Sequence, residues 1–223
     1  MLAFTDGNVV KPMVSSMDHK RIGDHDTGLN TGGMGTVAPN PYYTPEIAET
    51  CMKEIFLPTI AAMNAEGRTF KGCLYFGLML TPNGPKVVEY NSRFGDPETQ
   101  PVLSLLETDL LDIMMACTNG TLDQLDIQWS DGAACCIVMA SGGYPLDYKK
   151  GYEINGLDSV GENVFVYHAG TKLEDGKYLT NGGRVLGVTA TAADLEGAIA
   201  KAYDAVKGIS FQDAHYRTDI GRK

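Results

Sequence analysis

Apolar and polar positions divide this chain into segments of different period. LAFT and VVKP are short apolar runs around the turn Asp6-Gly7-Asn8, which predicts a β-hairpin at the start. Residues 18–41, DHKRIGDHDTGLNTGGMGTVAPNP, show neither a helical nor a strand period and read as a long polar, Gly-rich loop. A helix follows, with Thr44 as N-cap and Pro45 at its first position. Ile47, Cys51, Ile55 and Met63 recur at helical spacing, Pro58 is expected to kink or split the helix, and Glu66-Gly67 closes it. KGCLYFGLML reads as a buried strand and KVVEYN as its hairpin partner across PNGP. RFGDPETQPVL leaves through a polar turn, and SLLETDLLDIMMACTNG reads as an apolar helix ended by Asn119-Gly120.

The texture changes near residue 125. Short strands follow (AACCIVMAS, NVFVYHAGT, RVLGVTAT), separated by Gly-rich turns. Leu195, Ala198, Ile199, Ala202 and Val206 then mark one face of an amphipathic helix, with Asp194 near its start and Lys207-Gly208 at its end. These patterns predict an α+β chain in two domains, 1–125 and 126–223. The opening directly on a hairpin leads us to expect that Met1 is an internal start or a cloning boundary, with sequence upstream of it.

Composition narrows the function. The 223 residues carry 18 Lys+Arg against 28 Asp+Glu, a formal charge of −10. That balance argues against a protein that coats nucleic acid or an anionic membrane, both of which call for a basic surface. It leaves room for a small anionic substrate held by one local cluster. The five cysteines include no C-x-x-C pair and sit mostly among apolar neighbours, so they read as small buried hydrophobes in a reducing compartment. Neither a signal peptide nor a membrane span is visible, and the expected location is the cytoplasm.

The chemistry concentrates in VVEYNSRFGDPE. Residues two apart on a strand share a face, so Glu89 and Asn91, with Arg93 just beyond, form a row opposite Val88 and Tyr90. Glu89 and Asn91 offer hard oxygens of the kind Mg²⁺ takes, and Arg93 offers forked donors suited to phosphate. Asp96 and Glu98 are placed to orient a substrate amine or the arginine. Taken alone, the E-x-N spacing is better accounted for by a solvated strand face followed by a turn; the full string with RFGDPETQP shifts the balance toward the metal reading.

In residues 18–35 the glycines Gly28, Gly32, Gly33 and Gly35 free the backbone to gather N–H groups into an anion nest. His19, Lys20 and Arg21 add donors, and Asp24 and Asp26 add acceptors for an ammonium. Such a set suits an amino acid, although a mobile surface loop has the same composition. Arg184 reads as a structural ion-pair partner, while His168 and His215 receive no role.

EYNSRFGDPETQP, DHKRIGDHDTGLNTGGMG and NGGRVLGVTAT together closely resemble the phosphoribosylamine–glycine ligases, ATP-grasp enzymes of purine biosynthesis. The resemblance runs from about residue 2 to YRTDIGRK. It implies the second half of an ATP-grasp domain, an antiparallel sheet with helices, followed by a small mixed β-rich domain. It also implies ATP-dependent joining of glycine to 5-phosphoribosylamine through a glycyl phosphate. Glu89 and Asn91 then correspond to the Mg²⁺ or Mn²⁺ ligands, and Arg93 to the residue that helps hold the transferred phosphoryl group. Asp26, Gly28, Asn30, Thr31, Gly32 and Gly33, with Asp96, Pro97 and Glu98, correspond to substrate contacts. Leu29 departs from the family, which usually has proline there. The family's amino-terminal domain and adenine clamp would precede these motifs, so the missing amino-terminal part is an expected partner, and the chain alone is expected to be inactive. Another ATP-grasp carboxylate–amine ligase, or a domain without catalysis, stays open at this stage.

Overall fold

The computed structural model describes residues 1–222. In chain order its first elements are β1 (Leu2–Thr5), β2 (Val10–Pro12), β3 (Met17–Asp18), β4 (Arg21–Gly23), β5 (Thr27–Asn30) and β6 (Gly35–Ala38). Helices α1 (Pro45–Cys51) and α2 (Leu57–Ala65) precede the long strands β7 (Gly72–Thr81) and β8 (Gly84–Asn91). Helices α3 (Thr99–Leu103) and α4 (Leu110–Asn119) lead to β9 (Ala133–Ser141), β10 (Val164–His168), β11 (Thr171–Glu174), β12 (Lys177–Thr180) and β13 (Arg184–Ala192). Helix α5 (Leu195–Gly208) and β14 (Ala214–His215) complete the set. Among the described residues no helix is long and apolar enough to cross a membrane.

The chain forms two compact units. The first comprises Met1–Ser15, Pro39–Gly95 and Leu106–Ser130; the second takes Ser16–Ala38, Asp96–Leu105 and the chain from Asp131 onward. The sequence reading cuts the chain once, at 125. The passage at Asp131 lies close to that cut, but two stretches of the first half belong to the second unit.

The first unit holds an antiparallel sheet in the order β2-β1-β7-β8. The opening hairpin forms as expected, and Asp6 explains its turn: Oδ1 accepts from the amides of Asn8 and Val9, each at 2.9 Å. Strand alternation puts Ala3, Leu74 and Phe76 in an apolar cluster with Cys51, Phe56 and Ile60 of the helices, where the rings of Phe56 and Phe76 lie 4.4 Å apart. Thr44 caps α1 by accepting from Ile47 N at 3.4 Å. The helix divides just before Pro58, which lies in the first turn of α2. A π-helical stretch, Met52–Phe56, joins α1 to α2 one turn earlier. That wider turn makes room where the ring would meet a carbonyl four residues back. The apolar helix expected from Ser104 begins only at Leu110, because Leu106 bridges to Trp129 and the Asp109 carboxylate caps Leu111 N at 2.8 Å.

The second unit holds a larger antiparallel sheet, β10-β13-β9-β6-β3, with β14 also paired to β9. All nine residues of β9 are buried. Helix α5 packs with Cys135, Ile137 and Met139, while Gln100 of α3 lies beside Gly187 and Cys136 on the opposite face. The expected caps of α5 are present, with Asp194 Oδ1 accepting from Gly197 N at 2.8 Å. Burial pushes the Cys136 thiol up to about 12, and all five cysteines are free and buried.

Here the structure corrects the reading of residues 18–41 as one long loop. Strands β4 and β5 pair as a hairpin, and β6 is fully buried, pairing Gly35 with Ile137 and Val37 with Cys135. A strand covered on both faces carries no polar alternation, so its period was not visible. The hairpin β11–β12 was missed as well.

Candidate active site

The hairpin β7–β8 builds the first group of expected residues. Gly77 pairs with Glu89, Phe76 with Tyr90 and Tyr75 with Asn91. Directly opposed residues share a face, so Glu89 and Asn91 project together, away from the helices α1 and α2. Tyr90 projects the other way: its ring meets Phe76 edge-on at 5.6 Å and its hydroxyl lies 3.1 Å from Thr59 Oγ1 of α2. A register shift between Gly77 and Leu78 sets this phase for the end of β8. Gly77 also makes space, since a β-carbon there would stand 2.7 Å from Glu89 Cγ.

Glu89 is exposed. Arg93 sits beside Asn91, with Nη2 3.5 Å from Asn91 Oδ1 and Nη1 donating to Phe94 O at 2.8 Å. The group therefore presents a carboxylate, an amide oxygen and a guanidinium. Those two hard oxygens fit a divalent ion that completes its shell with phosphate and water. Among the described residues no group of three His, Cys, Asp or Glu side chains could hold a metal ion.

The remaining expected residues lie in the second unit. Asp96 is about half exposed, whereas Pro97 and Glu98 are buried. Lys20 Nζ is 2.6 Å from Asp18 Oδ2 and 4.0 Å from Glu98 Oε1. Burial, together with the Glu98 charge, pushes the Asp18 carboxyl up to about 6 against the opposing pull of Lys20. Gly33 adopts φ +121° and packs so closely that a β-carbon would stand 2.4 Å from Pro97 Cδ and 2.6 Å from Asp18 Oδ1. Asp18 was not among the expected site residues. Its place as the first residue of DHKR was the only available signal.

At Gly32 and Gly33 the amides are not free to gather around an anion. Gly32 N donates to the Tyr144 hydroxyl at 3.0 Å, and Gly33 N donates to Thr31 Oγ1 at 2.9 Å. Thr31 itself is fixed, donating through N and Oγ1 to Lys20 O at 2.7 and 2.8 Å. Asn30 and Gly28 lie in the exposed strand β5, where Arg21 Nη1 donates to Gly28 O at 2.7 Å.

The closing YRTDIGRK segment claims the two aspartates that were read as ammonium acceptors. Arg217, only 1% exposed, donates from Nη1 to Asp26 Oδ1 at 2.9 Å and to Arg21 O at 3.1 Å. Its Nε and Nη2 grip Asp219 as a fork, both at 2.8 Å. Burial alone would raise the Asp219 carboxyl, but this fork and the His25 amide overcome it and hold the group well below the usual carboxylate range. Asp24 accepts from Thr218 N at 2.8 Å and from its hydroxyl. His215, given no role from sequence, lies with Nε2 2.8 Å from Ile22 O.

Comparison with known proteins divides the chain once along its length, between residues 99 and 134. Residues 1–99 match the family model described as phosphoribosylglycinamide synthetase, ATP-grasp (A) domain, and residues 134–223 match the model of its C domain. A phosphoribosylamine–glycine ligase of Synechocystis is 53% identical over 226 residues, covering 100% of this chain and 54% of its own length. The crystal structure of the Thermotoga maritima phosphoribosylamine–glycine ligase is similar at a TM-score of 0.88 and 34% identity, covering 98% of this chain and 54% of that one. A biotin carboxylase domain from Hydrogenobacter thermophilus, solved with MgADP and bicarbonate, shares the fold alone: TM-score 0.66 at 14% identity, covering 96% of this chain and 46% of that one. The chain spans about half the length of the curated ligases it matches.

Proposed function

The chain belongs to the phosphoribosylglycinamide synthetase family of ATP-grasp ligases, and from that premise we propose that it takes part in joining glycine to 5-phosphoribosylamine at the expense of ATP, in the cytoplasm. The observation that carries this reading is the pair Glu89 and Asn91, which offer two hard oxygens on one sheet face beside Arg93, in a chain matched by both domain models of one ligase.

ATP-grasp ligases use ATP with a divalent metal. Glu89 and Asn91 would hold that ion, Mg²⁺ or Mn²⁺, and the ion would neutralise charge on the nucleotide phosphates. Arg93 holds the phosphoryl group as it passes to a glycine carboxylate oxygen and leaves ADP. The amine of phosphoribosylamine then attacks the acyl carbon, expelling phosphate and losing a proton. Asp96 and the 26–33 segment hold glycine and phosphoribosylamine, with Pro97 and Glu98 supporting them from beneath. No covalent bond to the protein is needed, so positioning and charge neutralisation supply the rate. About half of the relatives' length lies outside the part matched here, and we assign the covering lobe for adenine to it.

Glu89→Gln in the full-length protein tests this. Loss of the charged metal ligand is expected to lower glycinamide ribonucleotide formation by about 100-fold or more. The exposed position predicts a melting temperature within about 2 °C of the parent. Near-normal turnover would end the metal assignment. A parent enzyme that prefers another amino acid to glycine would redirect the substrate.

A further inference from the structure

The two stretches assigned to substrate are joined by one side chain. Arg184, the first residue of β13, is 20% exposed. Its Nη1 donates to Gly32 O at 2.9 Å, to Gly33 O at 3.3 Å and to Asp96 O at 2.9 Å. Its Nη2 lies 3.2 Å from Asp96 Oδ2. Three carbonyl oxygens therefore converge on one nitrogen, and without the cation their negative ends would face one another unsatisfied. Gly32 is shaped to admit it, because a β-carbon there would stand 2.8 Å from Arg184 Cζ. The stem is anchored in the sheet: Arg184 pairs with Ala140 of β9, and its own carbonyl accepts from Gly170 N at 2.9 Å.

We propose that Arg184 is the positioning residue of the substrate site, holding the Gly32–Gly33 turn and the Asp96–Glu98 segment in one arrangement. The inference rests on the functional reading above. Arg184 is not itself a phosphate-binding group, since its fork is already occupied by protein acceptors and is mostly covered. It acts through Asp96, whose carboxylate it engages by one oxygen while half of the side chain stays open. Lysine cannot replace it, because a single ammonium lacks the planar fork that reaches a carboxylate and three carbonyls together.

The test compares Arg184→Ala and Arg184→Lys with the parent in the full-length protein. The expected result is a KM for glycine or phosphoribosylamine raised about 10-fold or more, with kcat falling by less. Millimolar methylguanidinium is expected to restore part of the loss in Arg184→Ala, and methylammonium is not. Hydrogen exchange should quicken at residues 31–34 and 98–100 while α5 keeps its protection. Unchanged KM in both variants, or unchanged exchange in those segments, would overturn the proposal. So would a uniform loss of protection with no guanidinium rescue. A parent that makes no product from glycine would overturn the functional reading instead; exchange in the variants still judges the link between the two segments.

Discussion

Asp18 shows what burial does to a single charge. Its side chain is 7% exposed, beside Glu98 and under Lys20. Burial and the neighbouring carboxylate raise its pKa from near 4 to about 6. The folded chain thus keeps a proton that the unfolded chain releases. The stability this contributes is complete below about pH 4 and is lost as pH rises through 6. Asp18→Asn removes that dependence. Its melting temperature relative to the parent is expected to climb between pH 4 and pH 7, as followed by circular dichroism. A difference that stays level across this range would show that Asp18 is ionised throughout. Arg184 is a simpler case. The sequence reading makes it an ion-pair partner, and the structure pairs it with Asp96. That three carbonyls share it could not be read from a single arginine beside two glycines.

At the scale of elements, the β4–β5 hairpin is the least self-sufficient piece. All four residues of β5 are exposed, and only two cross-strand pairs define the hairpin. Its shape is held from outside by the closing segment, through Arg217 to Asp26 and Arg21, Thr218 to Asp24, and Asp219 to the His25 amide. Arg217→Ala would leave the Asp219 carboxylate, now mostly covered, without its partner. Removing one member of a buried pair costs about 3–5 kcal/mol. We expect Arg217→Ala to lower the denaturation midpoint by a corresponding amount, and Arg217→Lys to recover only part of it. A midpoint within error of the parent would show that the hairpin holds itself. Asp219 adds the opposite pH sign from Asp18. Its depressed pKa gives stability that is present above pH 4 and lost as pH falls below it.

At the scale of the whole molecule, the sheet of the second unit is assembled from distant parts of the chain. Strand β9 is flanked by β13 and by β6, which comes about 100 residues earlier. A fragment of residues 126–223 keeps β9, β13 and α5 but loses β6, β3 and α3. It would expose one edge of a strand that is buried at every position. Such a fragment is expected to aggregate or to lack a cooperative transition, and a peptide of residues 16–38 added in trans is expected to improve it. Cooperative unfolding of 126–223 unaffected by that peptide would count against the strand exchange. What could be read from residues alone was short in range. The opening hairpin, the caps Thr44 and Asp194, and the common face of Glu89 and Asn91 all follow from neighbours a few positions apart, where period and turn chemistry act directly. The family could be read too, because its motifs are contiguous. The partners of the 18–35 segment could not. Asp26 is taken by an arginine 191 positions away, Gly32 by one 152 away, and β6 by a strand in the other half. Contacts at such separations leave no local period in either segment. They become definite only when the packed sheet decides which carbonyls, carboxylates and strand edges must be satisfied together.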